Sequence, residues 1–157
     1  MAKKKSNARK IAEKEGFRSY FEYDISKQLT SAKIKWVYEP RDMIIPYSIT
    51  KKSKAVSCAE CGCNKIHTSH TYLPDFYLEK YDLIIEAKGY FRQGAADRRK
   101  LEQMVNDGVR LVVLFQSPSI KINTSSKTTY SDWANKKGVK WLSIKDPKWI
   151  SKLKSIY

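Results

Sequence analysis

The residues best suited to chemistry lie in one short stretch, Pro74 to Tyr90, which reads PDFYLEKYDLIIEAKGY. Asp75 follows a proline, and Glu86 stands at the end of the apolar run Leu83, Ile84, Ile85, with Lys88 two places on. Carboxylates set among strand-forming apolar residues are costly to bury unless they are paired or bind a cation. Alternate strand residues point the same way, so Glu86 and Lys88 share a face while Ala87 points away. If the two runs form a hairpin, Asp75 and Glu86 converge across it and present the hard oxygen ligands that Mg²⁺ prefers. A lysine beside them can hold a phosphate, orient a water or stabilise developing charge. An ordinary salt-bridged hairpin accounts for the same triplet, because carboxylate-x-lysine is a common pattern.

The elements that must position these residues can be read from periodicity and turn signals. Phe17, Tyr20, Phe21, Ile25, Gln28, Leu29 and Ala32 recur at helical spacing and predict a helix over roughly 17–32, with Glu22 beside its apolar face. Residues 34–38 and 43–47 are short β-rich runs separated by Glu39-Pro40, and TYLPDFYL and DLIIEAKG predict two further strands. AADRRKLEQMVN is a helix that stops at Gly108, and VRLVVLFQ has the near-continuous apolar character of a central strand. A helix around 130–137, the strand GVKWLS and a helix opened by Asp146-Pro147 complete the chain. The order is α-β-β-β-β-α-β-α-β-α, an α/β fold in which a mixed β-sheet is flanked by helices. The four tryptophans lie in apolar patterns and read as core.

Composition narrows the partners. A chain of 157 residues is long enough for one domain with a single core, so residues 1–157 read as one unit. Lysine and arginine number 31 against 16 acidic residues, a formal charge of +15, and the pI is near 9.7. A polyanion is the natural partner of such a chain, with nucleic acid favoured over a membrane surface because no basic stretch has a matching apolar face. No apolar run approaches the roughly 18 residues that a membrane helix needs. Residues 1–15 are basic without apolar periodicity and read as a flexible arm. Residues 48–70 are a polar, lysine- and serine-rich insertion that carries every cysteine and histidine of the chain. Three crowded cysteines argue against a disulfide framework and for a reducing compartment. Cys58, Cys61, Cys63 and His67, with His70 in reserve, have the ligand types of a structural Zn²⁺ site; a reduced loop that binds nothing fits nearly as well.

Several segments, taken in chain order, resemble the phage endonuclease I family, the Holliday-junction resolvases of the T-odd coliphages within the PD-(D/E)xK nuclease superfamily. They are FRSYFEYDISKQL, KIKWVYEP, HTYLPDFYL, IIEAKGY, DRRK, VRLVVLFQSPS, TTYSDWANKKGVKW and PKWISK. The resemblance spans nearly the whole chain outside the first ten residues and the insertion, and it carries a set of expectations. It implies a restriction-endonuclease-like core in a strand-swapped homodimer, with the crossing segment around 34–47. It implies a structure-selective endonuclease that nicks four-way and other branched DNA and leaves a 5′-phosphate. The catalytic set becomes Glu22, Asp75, Glu86 and Lys88. Mg²⁺ or Mn²⁺ would be held by Glu22, Asp75, Glu86 and the backbone carbonyl of Ala87. Arg98, Arg99 and Lys100 would contact phosphates. The setting would be the cytoplasm of a phage-infected bacterium. Two other readings stand beside this one: a PD-(D/E)xK nuclease of restriction or repair type, and a non-catalytic zinc-knuckle DNA-binding module.

Overall fold

A computed structural model describes residues 6–52, 62 and 64–156. Along the chain come helices α1 (Asn7–Lys14) and α2 (Tyr20–Ser31) and strands β1 (Val37–Tyr38), β2 (Ile45–Lys52), β3 (Lys65–Tyr72), β4 (Phe76–Leu78) and β5 (Leu83–Lys88). Helix α3 (Ala95–Asn106), strand β6 (Leu111–Phe115), helix α4 (Tyr130–Lys136), strand β7 (Lys140–Ser143) and helix α5 (Trp149–Leu153) follow. Five strands form one mixed sheet in the order β1-β4-β5-β6-β7, and β2 and β3 form a separate two-stranded ribbon. The β1-β4-β5 part is antiparallel, and β5-β6-β7 run parallel.

Strand alternation builds a core on each face of the sheet. Leu83, Ile85, Val112 and Leu114 pack against α2 and α5 through Ile25, Leu29, Trp149 and Leu153. Ile84, Leu111, Val113 and Phe115 pack on the other face against Leu101, Met104, Tyr130 and Trp133 of α3 and α4. Covering on both faces explains why β6 reads as an unbroken apolar run. Glu86 and Lys88 continue the parity of Ile84, so they point to the α3 side. The mixed sheet flanked by helices agrees with the sequence reading, and so do the tryptophans: Trp133 and Trp149 are buried, while Trp36 and Trp141 pack partly against the two cores.

Four sequence expectations are corrected. The arm expected over residues 1–15 includes a real helix, α1, capped by the Ser6 hydroxyl and anchored by fully buried Ala12. One buried alanine in a lysine-rich segment gives too weak an apolar period to stand out. The 48–70 insertion is not wholly outside regular structure, because its two flanks pair as the β2–β3 ribbon in a register from Ile45 with Tyr72 to Lys52 with Lys65. The run TYLPDFYL breaks at Leu73–Asp75, which ends the ribbon and starts β4; Pro74 cannot donate to a ladder. The last helix begins at Trp149 rather than Pro147, with Asp146 accepting from the Lys148 and Trp149 backbone N–H groups through its side chain and carbonyl respectively.

Helix α2 begins with a reciprocal cap that bears on the site. Ser19 Oγ accepts from the Glu22 backbone N–H at 3.2 Å, and the Glu22 carboxylate accepts from the Ser19 backbone N–H at 3.2 Å. Such a box satisfies two donors that a helix start otherwise leaves unpaired. Replacing Ser19 by Ala should cost about 1 kcal/mol of stability, read as a lower urea midpoint at unchanged slope.

Candidate active site

The site grows from one strand register. Phe76 pairs with Ile85 across the β4–β5 hairpin, so one step further out Asp75 stands opposite Glu86. The hairpin closes through a short 3₁₀ turn, Glu79–Tyr81, and through Asp82 in the left-handed region at φ 44°, where its carboxylate accepts from Tyr77 Oη at 3.1 Å. The two carboxylates are buried at 6% and 3% exposure. Asp75 Oδ2 accepts from the Ala87 backbone N–H at 2.8 Å, which locks the aspartate to the partner strand.

Each carboxylate is then contacted by different cations. Glu86 Oε1 pairs with Lys88 Nζ at 2.8 Å and lies 3.6 Å from Lys100 Nζ, and its Oε2 accepts a short hydrogen bond from Tyr72 Oη. Lys100 also lies over the Tyr72 ring, 4.7 Å from its centroid. Asp75 Oδ1 accepts from Arg18 Nη2 at 2.6 Å, and Arg18 Nε binds Glu39 at 2.6 Å. Glu39 is held at φ 45° with its backbone N–H donating to the Asp75 carbonyl. Non-glycine residues in this region carry strain of roughly 1 to 3 kcal/mol, a cost that is found concentrated at functional sites.

Glu22 reaches the same neighbourhood by another route. Its Oε2 accepts from Tyr38 Oη at 2.7 Å and from the backbone N–H groups of Arg18 and Ser19. Arg18 is therefore the joint of the site, with its backbone on Glu22 and its guanidinium on Asp75. Its side chain is 61% exposed. Among the described residues, no three or more His, Cys, Asp and Glu side chains are grouped so as to hold a metal ion. Asp75 and Glu86 make a pair, and Glu22 stands to one side of it.

Burial and the adjacent Glu86 charge push the Asp75 carboxyl well above the usual aspartate range, and the Ala87 N–H and Arg18 do not offset this. Burial also opposes ionisation of Glu86, but Lys88, Lys100 and the Tyr72 hydroxyl outweigh it and hold Glu86 below the ordinary glutamate value. Burial alone would lower Lys88, yet the Glu86 charge raises it, so Lys88 is a cation at neutral pH. Tyr38 is raised to about 12 by burial and by its bond to Glu22, so it remains a donor. Tyr72, buried against Glu86, is raised well above 10 for the same reasons.

A cleft of about 850 Å³ contains these groups. Helix α3 contributes Arg99 and Lys100 to it, and the ribbon contributes Tyr47, Ile49 and His70. Of the sequence-predicted residues, Glu22, Asp75, Glu86, Ala87, Lys88, Arg99 and Lys100 all line this cleft. Arg98 does not: its guanidinium packs over the Phe91 ring at 5.8 Å and Nη1 is buried. Successive residues of a helix cannot all face one way, and α3 spends Arg98 on packing. Lys100 is less a surface phosphate contact than a second cation on Glu86. Cys58, Cys61 and Cys63 lie outside the described residues; His67 is exposed on β3 with Nδ1 3.0 Å from Thr50 Oγ1. Sequence reasoning missed Arg18, Tyr38, Glu39 and Tyr72 as parts of the site. Arg18 carried a signal, because the residue just before an N-cap lies beside the capping carboxylate, here Glu22.

The whole arrangement falls within one family match. The family model described as phage endonuclease I matches residues 1–154. The chain belongs to the phage endonuclease I family. It is 29% identical over 139 residues to Endonuclease I of Escherichia phage T7, an alignment covering 84% of this chain and 80% of that protein. It is 35% identical over 127 residues to Endodeoxyribonuclease 1 of Enterobacteria phage T3, covering 78% of this chain and 68% of the relative. The family match thus includes every element that holds the Asp75–Glu86 pair.

A pH test probes this electrostatic arrangement in metal-free protein. Because the folded pKa of Asp75 lies above its unfolded value, the native state keeps a proton that the unfolded chain releases. Its contribution to stability therefore falls as pH rises from the unfolded pKa, about 4, toward the folded one. The stability difference between Asp75→Asn and the wild type in EDTA should shift in favour of the variant between pH 4.5 and 7. Denaturant titrations at the two pH values check it; the pH trend of the difference, not its sign at one pH, is the readout.

Proposed function

We propose that this protein is a structure-selective DNA endonuclease that resolves four-way junctions and other branched DNA by metal-dependent phosphodiester hydrolysis. The observation that carries the reading is the buried Asp75–Glu86 pair, fixed by strand register and flanked by Lys88 in a cleft with exposed basic side chains. The matched relatives, an endonuclease and an endodeoxyribonuclease by name, support DNA as the substrate. The strand–hairpin placement of the carboxylates, with the helix glutamate beside them, supports a PD-(D/E)xK core.

The donor chemistry fits Mg²⁺ or Mn²⁺, since Asp75 and Glu86 offer adjacent hard carboxylate oxygens. Asp75, Glu86 and the Ala87 carbonyl would hold the ion, with Glu22 joined to them through Arg18. A bound divalent ion lowers the pKa of water and offsets charge on a phosphate. The remaining work belongs to the protein's own side chains. Lys88, a cation at neutral pH, acts through charge: it stabilises the extra negative charge on the phosphoryl oxygens as water attacks and the 3′ oxygen leaves. Arg99 and other exposed cations position the backbone without reading sequence.

Incubation of a labelled four-way junction and a matching linear duplex, with Mg²⁺ or EDTA, tests the reading. Mg²⁺-dependent nicks near the branch are expected; preferential cutting of the duplex, or binding without cutting, would contradict it. Asp75→Ala, Glu86→Ala and Lys88→Ala should each lower cleavage by about two orders of magnitude or more, while gel-shift affinity for the junction in EDTA changes little because other phosphate contacts supply it. Glu22→Ala should behave nearly alike.

We further propose a homodimer that shares its sites, with the chain crossing between subunits around residues 34–47. Val37 on the outermost strand and Ile44 before the ribbon support it, being 48% and 54% exposed in the single chain. Co-refolding an inactive Glu22 variant with an inactive Asp75 variant should restore one intact site per heterodimer, hence about a quarter of wild-type cleavage from a random mixture with half heterodimers. Activity no higher than that of either variant alone would count against sharing.

A further inference from the structure

The ribbon brings one feature into the cleft that neither the carboxylates nor the basic residues account for. Tyr47 on β2 and His70 on β3 are direct register partners, so their side chains share a face. Their rings are stacked, with centroids 5.3 Å apart and planes 23° from parallel. Tyr47 is half-buried against the core that includes Leu101 and Met104, so its ring is backed by the body of the protein. His70 lies on top of it, exposed, with Nε2 2.9 Å from Thr68 Oγ1, which fixes the orientation of the imidazole. An exposed flat ring supported from behind and held from the side is a platform.

Its position relative to Glu86 is set by the strand. His70 and Tyr72 are two residues apart on β3 and point the same way. The Tyr72 hydroxyl is bonded to Glu86. The platform therefore stands about 7 Å along the strand from the tyrosine that touches the carboxylate, the axial rise of about two stacked nucleotides. Both rings line the same cleft as Asp75, Glu86 and Lys88. A nucleic acid strand with its scissile phosphate at the carboxylates has a base, rather than a further phosphate, to offer at a flat aromatic face.

We propose that His70, backed by Tyr47, stacks on a nucleobase one or two nucleotides from the cleaved phosphate and so favours DNA in which that base has left its duplex stack. The inference rests on the nuclease reading above. A continuous duplex keeps each base between its neighbours and cannot present a face to the ring; a branch point or an unpaired strand can. Base–aromatic stacking is tolerant of sequence, as every base has a π-face. The platform thus selects for structure without reading bases, and it acts in binding before any bond is broken.

Junctions carrying 5-iodouracil at single positions within two nucleotides of the nick, bound in EDTA and irradiated, test this directly. Adducts on the peptides bearing His70 or Tyr47, identified by mass spectrometry, are expected; adducts confined to other peptides, or none, would overturn it. His70→Ala should weaken junction binding about tenfold, within the range for losing one base–aromatic stack, and leave linear-duplex binding within about twofold. His70→Tyr keeps a ring and should restore junction binding. A His70→Ala variant that binds the junction like the wild type, or that loses both DNAs equally, sinks the proposal. All these measurements are made without cleavage, so a wild-type protein that fails to cut would refute the nuclease reading and still leave the platform measured.

Discussion

Two carboxylates facing each other in a buried hairpin are the constraint around which the rest of this structure is arranged. Asp75 and Glu86 are set opposite by the β4–β5 register, and the Ala87 N–H ties one to the backbone of the other's strand. Side by side in a low-dielectric site, they cannot both ionise without help. The help comes from every direction. Lys88 comes from the same strand, Lys100 from α3, Tyr72 from the ribbon, and Arg18 from the start of α2. Four separate elements thereby become bound to one another through the electrostatics of one pair. The asymmetry in their titration has the same origin: Glu86 receives two lysines and a hydroxyl, whereas Asp75 receives one exposed arginine and one amide. Buried groups whose environments push their pKa values apart in this way cluster at functional sites.

The helix cap belongs to the same logic. A capping carboxylate normally ends its work at the helix start. In α2, Glu22 also accepts from Tyr38, whose strand pairs with β4 just beside Asp75, so one side chain stabilises the helix and aligns it with the hairpin. Glu39 extends the chain of contacts by holding Arg18 from the other side in a strained backbone conformation.

Much of this was legible in the sequence, for reasons that can be given residue by residue. Period-2 alternation placed Glu86 and Lys88 on one face, and the apolar context of Leu83 to Ile85 announced that the glutamate would be buried. The continuous apolar run at Leu111 to Phe115 marked a central strand. What the sequence did not reveal depends on long-range partners. Tyr72 looked like one more strand aromatic, since its bond to Glu86 joins two different sheets. Arg98 and Lys100 looked alike among neighbouring cations, and only the orientation of α3 separates a half-buried residue packed on Phe91 from a partner of Glu86. Helix α1 was obscured because a single alanine supplies its buried contact. The ribbon was misjudged because two-sided polar strands lack the amphipathic signature that betrays a strand against a core.

The ribbon's independence from the main sheet has a consequence for how chains of this kind can diversify. Its base is bound to the site, through Tyr72 on one strand and the packing of Tyr47 on the other. Lys52 and Lys65 are the register pair furthest from Tyr72, at the opposite end of the ribbon from the site. Loop closure grows costlier only slowly with length, each doubling adding about 0.6 kcal/mol. Insertions or deletions at that end are compatible with the Asp75–Glu86 register, provided that the eight paired positions between Ile45 and Lys52 are kept. A change of length there leaves the pairing that sets Asp75 opposite Glu86 as it is.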